Sequence, residues 1–490
     1  MRTGTTDSIK VLARRFTGNP AAIYSVIFGL YLIGRLVLIV GGHVFTSNDS
    51  ATYAPRPGGG SLVSFVGNAP RPWGLPLFYA IFGNDGWRTV AQWAVGTIAW
   101  GYFAWEVSRN LATRGARYAL VAVILFLSLL RTVSNWDLAI LSESMSISVG
   151  LLVLALLLRW LRTGSRAAII GMTATALWWT FIRPDIRVFT VVLMAVLLGL
   201  AARTWWQRRR SDSASPAGGG GRIGAALVAC LALGLSLAWY AAITPALERA
   251  GNAYDLDGLQ SSPLPEAEQV LVYRLRVDVS TDPAMWNAFK TELGMPTCPE
   301  LEAFTREPEW KGRAWVEAYT RCPALVAWVG DRTDQIFWSE LAAENPSLFL
   351  RTFLKKTSLA LGGDVYADVP KVVPARAEDL VFPSRRYGLP LALLGFVVAI
   401  GLVWWAGGWR TNRRLVWFAT VVFGTAVLSA VATIVAYTGE IQRFGIQETV
   451  ATRIAIIILL ACAFDSWLLR RTSRRSIEDT RGTELARPLD

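Results

Sequence analysis

Long apolar stretches alternate with short polar segments along this 490-residue chain. A helix needs about 20 apolar residues to cross the hydrocarbon core of a bilayer. The pattern predicts an all-α polytopic membrane protein with about ten transmembrane helices. These span residues 21–42, 87–107, 117–134, 143–161, 167–182, 186–203, 223–245, 388–407, 415–437 and 453–470.

Two long polar segments interrupt the apolar pattern and divide the chain. The first is a loop, residues 43–86, within a block of seven helices, 1–245. The second is a domain of about 140 residues, 246–387, which we predict to be mainly helical because "DPAMWNAFKTELG" carries an Asp-Pro helix start. Helices eight to ten, 388–470, and a tail, 471–490, complete the chain.

The composition supports a membrane location and argues against nucleic acid. Only 17% of the residues are charged, against about a quarter in soluble proteins. The net charge of +13 comes from arginines beside the ends of apolar segments, not from a basic stripe on a soluble domain. We therefore expect contact with membrane lipids and no nucleic-acid partner.

The arginine clusters also predict the topology. Basic residues favour the cytoplasmic side, and with ten helices all clusters fall on one side. We expect a multi-pass plasma-membrane protein with a retained first helix, both termini in the cytoplasm, and the loop 43–86 and domain 246–387 outside. The clusters are Arg109/Arg114/Arg117, Arg159/Arg162/Arg166, Arg203/Arg208/Arg209/Arg210/Arg222, Arg410/Arg413/Arg414 and Arg470/Arg471/Arg474/Arg475.

The four cysteines fall into two pairs. Cys230 and Cys462 lie in apolar stretches and are interpreted as packing residues. Cys298 and Cys322 lie in the domain predicted to be outside, where a disulfide closing a loop of about 24 residues is favoured. The alternative is two buried free thiols.

Charged residues gather at the outer ends of the predicted helices. Asp49 follows the first helix, Glu143 begins the fourth, Arg183 and Asp185 lie between the fifth and sixth, and Arg443 follows the ninth. Charge near a membrane is costly unless it is solvated or used. We expect these loops to converge on one outward cleft that could serve as an active site.

Each of these residues also has a purely structural interpretation. Asp49 could stabilise a turn, and Glu143 could complement the helix dipole with Ser142 as the cap. The segment Arg183-Pro184-Asp185 could be a hairpin with a local ion pair, and Arg443 could be an interfacial anchor. The case for function depends on their joint placement.

The order of these motifs resembles the GT-C superfamily of membrane glycosyltransferases, from the first helix to the tenth. A first outer loop with an acid, an Arg-Pro-x-Gly-x-Pro stretch, a Ser-Glu segment in the fourth helix and "RPD" after the fifth are all similar to that family's pattern. A soluble insertion after the seventh helix is similar too. The corresponding stretches are "SNDSATY" (47–53), "NAPRPWGLPLFYAIFG" (68–83), "ILSESMS" (140–146) and "RPD" (183–185).

The resemblance implies an inverting transferase that moves a sugar from a polyprenyl-phosphate donor to an extracytoplasmic acceptor. Asp49 would be the catalytic base. Arg183 and Arg443 would bind the departing phosphate, and Glu143 would bind the sugar or orient an arginine. The remaining substrate-binding candidates are Tyr53, Arg71 and Asp185.

Further expectations concern partners and cofactors. Lysine occurs 6 times among 49 basic residues, which suggests a GC-rich bacterial genome. For such a bacterium, the resemblance implies decaprenyl-phosphate arabinose or mannose as the donor. The acceptor would be a glycan, glycolipid or protein of the cell envelope. No cofactor is firmly expected. Many family members have paired acids where this chain has only Asp49, but a divalent metal stays open, with "DLD" (255–257) as weak ligands.

Two other functions remain open. A transporter or flippase for a lipid or glycan would need charges inside its spans, and only Arg35 lies clearly within one. We expect Arg35 to snorkel or to pair with an acid such as Glu143. A catalytically inactive scaffold of an envelope complex is the third interpretation.

The glycine run at 58–60 would let the first loop close over a donor.

Overall fold

The computed structural model describes residues 19–47, 49–53, 65–67, 69–210, 220–253, 271–272, 274–299, 302, 317–332, 334–363, 365, 369–383, 385–436 and 441–485. Within these residues all regular elements are helices, apart from one isolated bridge between Phe45 and Ala139. The prediction of an all-α protein is confirmed. The glycine run at 58–60 and the acidic triplet at 255–257 lie outside the described residues.

Each of the ten predicted apolar stretches is a helix. The helix α3 bends by 61° and continues as a shorter helical segment, Arg131–Leu138. The ten helices are α1 (Pro20–Gly41), α2 (Asp85–Ser108), α3 (Arg114–Leu127), α4 (Glu143–Thr163), α5 (Arg166–Thr180), α6 (Ile186–Arg210), α7 (Gly220–Ala253), α8 (Gly388–Trp405), α9 (Arg413–Ala436) and α10 (Ile446–Leu485).

Seven of these helices are long and apolar enough to cross a membrane: α1, α4, α6, α7, α8, α9 and α10. The bent α3 raises the number to eight. The helix α5 has only 15 residues. The helix α2 is long enough but carries polar residues such as Thr89 and Gln92, which are buried among other helices rather than facing lipid. The chain is therefore a membrane-embedded helical protein, with seven helices of spanning length and composition, or eight with the bent pair, among the described residues.

The helix bundle has a continuous apolar core. The helix α2 packs against α3 and α4, α4 against α5, α6 against α7, and both α8 and α9 against α10. The helix α1 lies at the edge, because its buried residues follow a single face while its other apolar side chains are exposed, as they would be to lipid. The buried residues of α1 are Tyr31, Gly34, Arg35 and Leu38.

The insertion between α7 and α8 has its own core. Its helices pack around residues such as Trp286, Phe289 and Trp328, and this core joins the ends of α8 and α9 through Leu389 and Ile434. Its described helices are Leu275–Val279, of π type, Pro283–Thr291, Pro323–Gly330, Asp334–Glu344, Pro346–Ala360, Ala375–Val381 and the 3₁₀ turn Arg385–Tyr387.

Two sequence signals of the insertion have structural counterparts. Asp282 caps the helix Pro283–Thr291, with its carboxylate accepting from the backbone N–H of Ala284 at 3.0 Å. Cys298 and Cys322 are bonded to each other, with their Cα atoms 6.1 Å apart. Cys230 and Cys462 are buried free thiols. The insertion is thus a small helical unit fixed to one end of the bundle.

Shorter helices connect the long ones. Two of them, Ser50–Tyr53 and Ile441–Phe444, carry side chains of the site described below. The short helices are Ser50–Tyr53, Gly74–Ala80, Arg131–Ser134, the 3₁₀ turn Asn135–Leu138, Gly408–Thr411 and Ile441–Phe444.

Candidate active site

Backbone contacts hold the first loop against the start of α4. The Phe45 N–H donates to the Leu138 carbonyl at 2.9 Å, and the Ile140 N–H donates to the Phe45 carbonyl at 3.0 Å. Beyond this bridge the chain turns into the helix Ser50–Tyr53, where the Asp49 carbonyl accepts from the Thr52 hydroxyl at 2.6 Å. Asp49 thus takes part in a turn through its backbone, and its carboxylate is left for other partners.

The Asp49 carboxylate lies between two guanidinium groups. Its Oδ1 is 3.1 Å from Arg71 Nη2, and its Oδ2 is 2.7 Å from Arg443 Nη1. The Asp49 side chain keeps 26% of its surface exposed, whereas Arg443 is almost fully buried. Residues 394 positions apart in sequence therefore meet at one carboxylate.

A second, deeper layer of charge lies beneath this pair. Glu143 is buried and accepts from Arg443 Nε at 2.7 Å, with Arg183 Nη1 at 3.4 Å from the same oxygen. Ser142 occupies the N-cap position of α4, as expected, but its side chain makes no capping hydrogen bond. The Glu143 carboxylate joins two arginines instead of serving only the helix dipole.

Arg183 links the RPD segment to the short helix before α10. Its Nε is 3.0 Å from Asp185 Oδ1 and its Nη2 is 2.9 Å from Asp185 Oδ2, so this local ion pair is bidentate. Nη2 also donates to the Phe444 carbonyl at 3.0 Å. Arg183 and Asp185 thus form the local ion pair of the structural interpretation, and Arg183 makes longer-range contacts as well.

The two aromatic and basic candidates of the first loop lie beside Asp49. The Arg71 guanidinium stacks over the Tyr53 ring at 4.8 Å, and its Nε donates to the Thr52 hydroxyl at 2.9 Å. The Tyr53 hydroxyl is 3.4 Å from the Ser142 hydroxyl. All seven predicted site residues outside the disulfide thus belong to one contiguous cluster.

The electrostatics of the cluster are nearly balanced. Burial alone would raise the pKa of Asp49, but the charges of Arg71 and Arg443, with the hydrogen bond from Arg443, lower that pKa below the ordinary aspartate range. Burial alone would likewise lower the pKa of Arg183, yet Asp185 and Glu143 raise it. Both shifts favour the charged forms of Asp49 and Arg183.

Sequence reasoning overlooked a fourth carboxylate. Glu448 is fully buried in the first turn of α10 and accepts from the Ser429 hydroxyl at 2.6 Å. It was missed because the tenth helix was predicted from residue 453, whereas the helix begins at Ile446. The signal was an acid immediately before an apolar stretch, which by default indicates a functional group.

Arg35 does not pair with Glu143. Its Nη1 lies 2.6 Å from Asp137 Oδ2, and its Nε donates to the Thr97 hydroxyl at 3.0 Å. The pair is buried between α1, α2 and the start of α4, so Arg35 does not snorkel either. Asp137 lies in the 3₁₀ turn before α4, which brings it closer to α1 than Glu143 is.

No metal ligand set is found among the described residues, in which no group of three or more His, Cys, Asp or Glu side chains is suited to hold an ion. The acidic triplet at 255–257 falls outside these residues, so the expectation of a metal is neither supported nor opposed. The ion pairs described above involve guanidinium groups and need no metal.

No family model, characterised protein or solved structure matches this chain at a significant level.

Proposed function

We propose that this chain is an inverting glycosyltransferase at the outer face of the plasma membrane that uses a polyprenyl-phosphate sugar as donor. The acceptor is a hydroxyl group on a glycan, glycolipid or protein of the cell envelope. The observation that carries the proposal is the Asp49 carboxylate held between Arg71 and Arg443, with its outer side open to solvent. A base and phosphate-binding guanidinium groups within one cluster are what such a transfer requires.

The chemistry is a single displacement. The acceptor oxygen attacks the anomeric carbon as the bond from that carbon to the phosphate oxygen breaks, so the configuration inverts. Asp49 takes the proton of the acceptor hydroxyl. The negative charge that develops on the departing polyprenyl phosphate is stabilised by Arg443 and Arg71, a contribution of about 2–4 kcal/mol by comparison with an oxyanion donor.

Asp49 and the donor phosphate compete for the same guanidinium groups. In the free protein, Arg443 and Arg71 bind Asp49 and so lower its pKa, which makes it a weak base. A phosphate that takes over these cations removes their effect on Asp49 and so strengthens it as a base. Asp49 is thus a stronger base when the donor is bound than in the free protein.

The direct test is a transfer assay with purified protein in detergent or nanodiscs. Radiolabelled decaprenyl-phosphate arabinose and mannose are offered with envelope acceptors, and the anomeric configuration of the product is determined. Label transferred with inversion supports the proposal. The proposal is contradicted if protein that unfolds cooperatively on heating transfers no label from any donor to any acceptor.

A second candidate, a transporter or flippase for lipid-linked sugar, is favoured by the early start of α10. That start places Glu448 within a candidate span, in addition to Arg35. Charges within spans are typical of transport pathways. Reconstituted vesicles separate the two functions, because a flippase moves an intact donor between leaflets whereas a transferase cleaves it.

A further inference from the structure

Arg453 is a buried cation on the face of α10 that meets the insertion. Only 7% of its surface is exposed. Its Nε donates to the Val381 carbonyl at 3.3 Å, its Nη1 donates to the Thr452 hydroxyl at 3.0 Å, and its guanidinium lies over the Phe382 ring at 5.5 Å. These contacts fix the direction of the side chain, and they use two of its three nitrogens.

Among the residues that the structure describes, no acidic side chain pairs with Arg453, unlike the arginines of the candidate active site. Arg443 and Arg183 each contact two carboxylates. None of the ion pairs in the described part of the chain includes Arg453. A buried charge without a partner is costly in a membrane helix and by default indicates a ligand of opposite charge.

An apolar stripe leads away from Arg453 along α10. Residues at spacings of four and three from Arg453 share its helix face. Ile457 is half-buried, and the three residues beyond it on this face are exposed large hydrophobic side chains, so the stripe opens to lipid. These three residues are Leu460, Phe464 and Trp467.

The depth of Arg453 fits the level of lipid headgroups. The candidate span of α10 ends at Ser473. About 20 residues separate Arg453 from that end, which is about 30 Å of helix and equals the thickness of the hydrocarbon core. Arg453 therefore lies near the opposite boundary, where lipid phosphates are found.

We propose that Arg453 binds the phosphate group of a membrane lipid whose hydrocarbon chain lies along the exposed stripe of α10. The ligand class is a lipid phosphate, which a phospholipid or a polyprenyl phosphate could supply. The contacts of Arg453 with Val381, Thr452 and Phe382 include no residue of the Asp49 cluster, and the inference does not depend on glycosyl transfer. A bound phosphate would supply the missing counter-charge and would join α10 to the segment after Ala375–Val381.

The test is lipid binding to the full-length protein, measured by native mass spectrometry and by thermal shift. The probes are phosphatidylglycerol, a polyprenyl monophosphate, diacylglycerol and inorganic phosphate. We expect Arg453→Gln to weaken binding of the phosphate lipids about tenfold, as loss of a charged hydrogen bond implies. Diacylglycerol binding should not change. The control Arg351→Gln removes an exposed arginine of the insertion and should bind like the unaltered protein.

The outcomes separate the possibilities. Preference for either phosphate lipid over diacylglycerol, lost in Arg453→Gln, supports the site, and the tighter lipid identifies its source. Equal binding by Arg453→Gln and the unaltered protein overturns it, as does inorganic phosphate binding as tightly as the lipids. If Arg453→Gln does not fold, Arg453→Lys is measured instead, and the lipids are compared on the unaltered protein. Equal binding of phosphatidylglycerol and diacylglycerol by the unaltered protein refutes the site.

Discussion

At the scale of residues, three carboxylates of the candidate site are paired with three guanidinium groups. Asp49, Glu143 and Asp185 face Arg71, Arg443 and Arg183, at separations between 2.7 and 3.4 Å. Breaking one partner of such a pair leaves an uncompensated charge in a poorly solvated place. The pairs can therefore be tested one group at a time.

Arg443→Lys should reduce transfer strongly while the charge is kept. Arg443 uses two nitrogens to reach Glu143 and Asp49 at once, both at 2.7 Å. A lysine ammonium is a compact charge without this fork. We expect the activation free energy of transfer to rise by about 2–4 kcal/mol, measured as kcat/KM. Arg410→Lys is the control and should be near normal, because Arg410 lies in the short helix Gly408–Thr411 before α9, whereas Arg443 follows α9. An equal effect of both changes would contradict the role.

The pH dependence of transfer follows from the lowered pKa of Asp49. A base must be ionised, and a lowered pKa keeps Asp49 ionised to lower pH in the free protein. We expect kcat/KM to stay level on the acid side until below the pH at which an ordinary aspartate titrates. The acid limb of the pH profile of kcat should lie at higher pH than that of kcat/KM, because the bound phosphate occupies Arg443 and Asp49 loses its cationic partner. Coinciding limbs would argue against competition between Asp49 and the donor.

At the scale of elements, the short helix Ile441–Phe444 positions Arg443, and a glycine fixes where it lies. A Cβ atom on Gly445 would clash with the backbone of Ala360, at the end of the insertion helix Pro346–Ala360. Gly445→Ala should therefore displace Arg443 and reduce transfer at least tenfold, with a lower midpoint of thermal unfolding. Gly424→Ala on α9, where a Cβ meets nothing within 4 Å, is the matched control. Normal transfer by Gly445→Ala would contradict this placement.

The sequence predicts the long helices well, but it predicts their ends and their pairings less well. Apolar length alone predicted every long helix, because burial in lipid or in the bundle demands it. The start of α10 was missed by seven residues, since its first turns are polar yet buried, with Glu448 and Thr449 inaccessible to solvent. The residues Asp49 and Glu143 were identified as candidates, but their common partner, Arg443, is 300 positions or more away. Pairings of that kind depend on helix packing, which a single sequence does not encode locally.

At the scale of the whole molecule, the arginine pattern predicts which end of the bundle faces outward. A membrane-impermeant thiol reagent applied to intact cells should label Ser347→Cys, an exposed position in the insertion, and not Thr163→Cys, an exposed position at the end of α4. The native cysteines provide a low background, because two are bonded and two are buried. Labelling of Thr163→Cys but not of Ser347→Cys would show that the topology is the reverse of the predicted one. The donor would then need to be cytoplasmic.

The most direct measurement is the transfer rate of Asp49→Asn on polyprenyl-phosphate sugar, compared with the unaltered protein at matched thermal stability. Asparagine keeps the size of the side chain and one oxygen but cannot hold the acceptor proton. We expect the rate to fall by about 10²–10⁴-fold, the usual contribution of a general base, while the variant unfolds cooperatively. A variant that folds and transfers sugar at the unaltered rate would show that Asp49 is not the base and that the charge cluster serves another purpose.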